Sequence, residues 1–133
     1  MEMIYKAARL EKETAGALEL AMINEQTLRE LTEDEVFTFR LTACDNQVDR
    51  EGERFTEATL EQLGKLYIGK PVLRDHNWSA ETQTARVYDA HLEKRGDVKR
   101  LVLSCYMVRT ASTADTVAAI EGGILRECSV GCA

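Results

Sequence analysis

The sequence predicts an α+β fold, a mainly antiparallel β-sheet or barrel flanked by helices. Three observations carry that expectation. Period-two alternation recurs along the chain, with Phe37, Phe39, Leu41 and Ala43 set against Thr38, Arg40 and Thr42, and with Leu101, Leu103, Cys105 and Met107 spaced in the same way. Two strand-like runs, 82 to 94 and 98 to 108, are separated by Arg95-Gly96-Asp97, a hairpin signal that makes neighbours antiparallel. Two helical patterns fall between strands, so the expected order is strand, helix, short strand, hairpin, helix, strand.

Length and composition limit what such a chain does. At 133 residues it fits one domain. Residues 1 to 34 form an N-terminal segment of uncertain structure, and 35 to 133 form the core. A hydrophobic share of 44% against 30% charged belongs to a globular chain rather than a disordered one. The net charge of −6, with no cluster of lysine or arginine, argues against a nucleic-acid surface. No apolar run approaches the roughly 20 residues that span a bilayer. Met1 to Leu20 lacks the apolar core of a signal peptide, so no membrane partner is expected.

Taken in order, the first 31 residues say least. Leu18, Leu20, Met22 and Ile23 suit either a strand or a short helix. Thr27-x-x-Glu30 and Thr32-x-x-Glu35 both match the capping pattern, which predicts helical turns. The strand beginning at Val36 runs into a charged stretch, Cys44 to Phe55. Its Asp45 and Asp49 lack the dense oxygen ladder of a calcium loop, so an exposed turn is expected.

Thr56 opens a helix carrying Leu60, Leu63 and Tyr67, with Phe55 placed to staple its start. Gly69 and Pro71 end it. Pro71-Val72-Leu73 then reads as a short strand delivering Arg74-Asp75-His76-Asn77-Trp78. His91, between Ala90 and Leu92, is expected to pack within its strand. Thr110 to Glu121 is a helix with Val117, Ala118 and Ile120, closed by Gly122-Gly123 in a left-handed cap.

The four cysteines, at 44, 105, 128 and 132, contain no Cys-x-x-Cys. A zinc site wants four convergent ligands, usually in two close pairs, and only Cys128 and Cys132 form such a pair. Reduced, half-buried cysteines are expected, since free cysteine packs as a small hydrophobe. No metal or other cofactor is expected.

The last stretch, Gly123 to Cys132, has a strand pattern with Ile124, Cys128, Val130 and Cys132 on one face and Arg126 as its polar interruption. Leu125, Glu127, Ser129 and Gly131 fall on the other. Ser129 thus lies opposite the apolar side, with a glycine two positions on leaving space beside its hydroxyl. That setting suits a nucleophile, and it equally suits an ordinary strand serine. His76, in a polar turn at a strand end, suits either a base or a hydrogen-bonded structural residue.

Several pieces then line up. Phe37-x-Phe39 leading into Cys44-Asp45-Asn46-x-Val48-Asp49-Arg50-x-Gly52-Glu53-Arg54-Phe55 resembles the opening segment of phage prohead (capsid maturation) proteases. So does Gly69-Lys70-Pro71-Val72-Leu73 followed by Asp75-His76. Ile120-x-Gly122-Gly123-Ile124, ending in Glu127-Cys128-Ser129-Val130-Gly131, resembles that family's nucleophile strand. The resemblance spans residues 35 to 133 and rests on the joint order of these motifs.

What the resemblance implies is a serine endopeptidase on a partly closed antiparallel barrel, similar to the herpesvirus assemblins. Ser129 would be the nucleophile and His76 its general base, since serine needs an imidazole within hydrogen-bond reach to take its proton. Substrates would be phage scaffold protein and the major capsid protein, cut inside the assembling procapsid in the host cytoplasm. The third triad member lies in such proteins downstream of the serine. Only four residues follow Ser129 here, so the resemblance implies a chain lacking its final strands. Glu127 stands first among in-chain substitutes to orient the histidine, ahead of Asp75 and Asp89. Arg126 is a weak oxyanion donor, expected on the face away from Ser129. A missing strand beside Ser129 would leave an open edge and favour self-association. The competing reading is a non-catalytic scaffold or capsid-assembly module on the same fold.

Overall fold

The computed structural model describes residues 4–13, 15–46, 55–73, 83–125 and 127–132. Its elements are β1 (Ile4–Glu13), α1 (Ala17–Asn24), a 3₁₀ turn (Glu33–Glu35), β2 (Val36–Asp45), α2 (Glu57–Tyr67), β3 (Pro71–Leu73), β4 (Gln83–Arg95), β5 (Val98–Val108), α3 (Ala114–Glu121) and β6 (Glu127–Cys132). The strands form one sheet in the order β3-β4-β5-β2-β1-β6, with every pairing antiparallel. The sheet curls towards a half-barrel, and the fold is α+β with three helices.

The expected run from β2 to β6 is present, with the hairpin closed by Gly96 at φ +60 between the paired Arg95 and Val98. Thr56 caps α2 by accepting a hydrogen bond from the Thr59 amide at 3.1 Å, and Phe55 packs into the same core as Leu60. Gly69 and Gly123 take positive φ, 85 and 76, at the ends of α2 and α3, where a side chain would be strained.

The first 31 residues, left open by the sequence, supply two elements. β1 lies inside the sheet, between β2 and β6. Ala17–Asn24 is helical rather than extended, and its start is held by the Gly16 amide donating to Glu19 Oε2 at 3.1 Å. Thr32 and Glu35 form the expected reciprocal cap, over a single 3₁₀ turn. Thr27 starts no helix; its hydroxyl instead bonds the Asn24 and Arg29 carbonyls.

Both faces of the sheet are covered. One face holds Phe37, Phe39, Leu41, Leu101, Leu103, Cys105 and Met107 against α2 and α3. On the other, Ile23 of α1 and Leu31 bury Val36, Tyr88 and Tyr106. The clean in-and-out alternation expected of 101 to 107 is therefore corrected: Val102, Ser104 and Tyr106 are buried as well. A strand roofed on both sides reads as a continuous buried run.

Three further expectations are corrected. His91 does not pack; it is 43% exposed, with Nε2 3.6 Å from Glu93 Oε2. Ile124 is no part of the last strand, because its amide and that of Leu125 turn back to the Ala119 carbonyl, finishing α3 and leaving Ile124 80% exposed. The Thr110 start also moves: Thr110 to Thr113 form a hydrogen-bonded turn, and α3 begins at Ala114.

The Thr32 cap carries a pH signature. The side-chain hydrogen bond from Arg29 and the Thr32 amide hold the Glu35 carboxyl down to about 2. Its folded pKa lies below its unfolded one, so the contact adds stability above the ordinary carboxylate range and loses it as pH falls towards 2. Glu35→Gln is expected to lower the urea midpoint slightly at pH 7, the contact being at the surface. The two midpoints should converge on acidification, and parallel midpoints at all pH values would refute the assignment.

Candidate active site

β6 carries the candidate nucleophile. It pairs with β1 alone among the described residues, with Ser129 opposite Ala7, Glu127 opposite Arg9 and Gly131 opposite Tyr5. Ser129, Glu127 and Gly131 therefore share one face of the sheet, as the sequence pattern requires. Cys128 (opposite Ala8) and Cys132 (opposite Ile4) occupy the other, towards which α2 and α3 pack. Cys44 and Cys105 are buried in the apolar core, where a thiol packs as a small hydrophobe.

His76, Asp75 and Arg126 lie outside the described residues, as does most of the charged stretch after Asn46. β3, which leads to His76, is one edge of the sheet, and β6 is the other. Across a flat sheet of this order the two edges stand about 24 Å apart, against the ~3 Å that proton transfer needs. Curling is what brings such edges towards each other. Asp89 sits in β4 beside a bulge, opposite Ser104, four strands away from β6 in the sheet order.

A charged group that sequence pattern did not single out lies on the Ser129 face. Glu93 of β4 takes Arg100 Nη2 on Oε1 at 3.1 Å and Arg40 Nη2 on Oε2, with His91 beside it. Partial burial pushes the Glu93 carboxyl up, but hydrogen bonds and charge from Arg40 and His91 bring it below the usual carboxylate range. Two guanidiniums share this one carboxylate, and the buried Nε atoms of Arg40 and Arg100 have no hydrogen-bond partner among the described residues. The register places Glu11 opposite Arg40 on this face. The sequence signal was present, since Glu93 and Arg100 are symmetrically placed about the hairpin turn and pair directly across it.

Among the described residues no group of three or more His, Cys, Asp or Glu side chains is arranged to hold a metal ion. No described helix is long and apolar enough to cross a membrane. Comparison with protein-family models, with curated proteins and with solved structures gave no match.

Proposed function

We propose that this chain is a serine endopeptidase of the phage prohead-protease type, acting on scaffold and major capsid protein inside an assembling procapsid. The observation that carries the reading is the course of the chain. The three stretches that resemble that family fall on β2, at β3 and on β6, in the expected order and in an antiparallel α+β sheet. Ser129 and Gly131 are two positions apart on β6, the spacing the resemblance calls for.

In this mechanism the His76 imidazole takes the Ser129 proton as the hydroxyl oxygen attacks the scissile carbonyl, then passes it to the departing amine. Water, deprotonated by the same imidazole, hydrolyses the acyl-enzyme. Glu127 is the first choice to orient the ring, ahead of Asp75 and Asp89.

A fluorophosphonate probe tests the reading without knowledge of the cleavage site. Mass spectrometry should find the adduct on Ser129, and His76→Ala should abolish it. Labelling elsewhere, or labelling indifferent to His76, sinks the proposal. One observation favours the second reading, a non-catalytic assembly module: the strand leading to His76 and the strand bearing Ser129 are opposite edges of the sheet. That reading expects no adduct and retained binding to scaffold or capsid protein.

A further inference from the structure

Among the described residues, the outer edge of β4 is open along its second half. β3 pairs with β4 only between Gln83 and Arg86, and Val87 is bound by the backbone of Gly69 and Lys70. From Asp89 to Arg95 no strand pairs with that edge among the described residues. The direction of its backbone groups follows from the neighbouring strand. The Lys99 amide donates to Asn46 Oδ1, and the Lys99 carbonyl accepts from the Asn46 amide, so both point away from β4. Lys94 and Lys99 are thus a non-hydrogen-bonded pair, and alternation aims the backbone N–H and C=O of Ala90, Leu92 and Lys94 outwards. Beside them runs a groove of about 370 Å³, between this edge and α2, floored by Ala90, Leu92, Gly64 and Leu101.

An edge of this kind is a template for another strand. The sequence Asp89-Ala-His-Leu-Glu-Lys-Arg95 says which strand fits, because its charges are antisymmetric about Leu92. Laid antiparallel on a copy of itself with a twofold axis at Leu92, it sets Asp89 against Arg95, His91 against Glu93 and Ala90 against Lys94. Each charged position meets its opposite or a neutral residue. Shifting the axis by one residue, to His91, sets Asp89 against Glu93, two like charges, so register is specified as well as partner.

Space permits the arrangement. α2 packs over β4 and β5. With strands about 4.8 Å apart, the two α2 helices then stand roughly 10 Å from each other, at the upper end of helix-packing distance. Gly64 keeps each helix low on the sheet, since even a Cβ there would meet Leu101 Cδ1 at 3.1 Å.

We propose that two copies of this chain join edge to edge through Asp89–Arg95 of β4, forming a continuous antiparallel sheet across a twofold axis. This contact lies at the other end of the sheet from β6 and does not depend on the protease reading.

Sedimentation of the whole chain over a wide concentration range tests it. A reversible dimer of twice 14.9 kDa is expected. Arg95→Glu turns two attractive cross-strand pairs into repulsive ones, and so does Asp89→Arg; each should weaken association roughly tenfold or more. The double exchange, Asp89→Arg with Arg95→Glu, restores both pairs and should restore the dimer. Lys94→Pro removes an outward-facing donor that the hairpin does not use, and should abolish association with the circular dichroism spectrum retained. A species of 14.9 kDa at every concentration, a dimer indifferent to the charge reversals, or a double exchange that fails to restore association each overturns the proposal.

Discussion

Ser129→Ala is expected to reduce peptide-bond hydrolysis roughly 10⁶-fold, to the level set by binding alone. On the proposed mechanism this effect is the largest, because Ser129 alone would form the covalent bond. His76→Ala should cost about as much if the proposed pair acts as a unit, since the losses within such a unit do not add. Loss of the orienting acid alone costs on the order of 10⁴ in kcat. Glu127→Gln therefore separates two situations by rate. A drop near 10⁴ makes Glu127 the orienting group; an unchanged rate removes it. The control is Ser104→Ala, a serine buried on β5 whose replacement should leave hydrolysis unchanged. Hydrolysis of scaffold protein by the Ser129→Ala variant at the parent rate would end the catalytic reading.

Phe39→Ala should destabilise the chain by about 3–5 kcal/mol. Phe39 is 2% exposed, lies on β2 between β5 and β1, and stacks on Phe37 with ring centroids 6.0 Å apart. Removing its ring leaves a cavity bordered by backbone that three paired strands hold in place, so little collapse is available. In thermal unfolding this is a fall on the order of 10 °C or more. Leu28→Ala is the matched control, because Leu28 is fully exposed and its loss should stay within about 0.5 kcal/mol. Equal midpoints for the two variants would mean that the Phe37–Phe39 layer is not the core.

Much of the fold was legible because its signals are local. The Phe37–Ala43 strand, the Thr56 cap, Gly96 in its turn and Gly123 after α3 each rest on signals within a few residues and each is present, although Thr38 of that strand is buried where alternation predicts exposure. The misses arise where distant chain decides. Nothing within Ile4–Glu13 announces a strand, because its partners Arg40 and Glu127 are far off in sequence. The apolar neighbours of His91 predict packing, but the bulge between Val87 and Asp89 and the two arginines around Glu93 draw that part of β4 into a charged face. Ile124 looked like a strand residue by hydropathy alone; the carbonyl of Ala119 claims its amide first. For the candidate site, pattern gave the parity of Ser129 and Gly131 but not the sheet order, which depends on β1.

That order has a kinetic corollary. β6 is anchored through β1, a segment more than a hundred residues away along the chain, with Arg9 meeting Glu127. Such a contact closes the longest loop among the described strand pairings, and long-range closure comes late in folding. The β1–β6 seam should accordingly be the last to zip and the first to fray in hydrogen exchange. The strand that carries Ser129 is therefore completed only when β1 has docked, so a substitution that weakens β1 should loosen β6 with it.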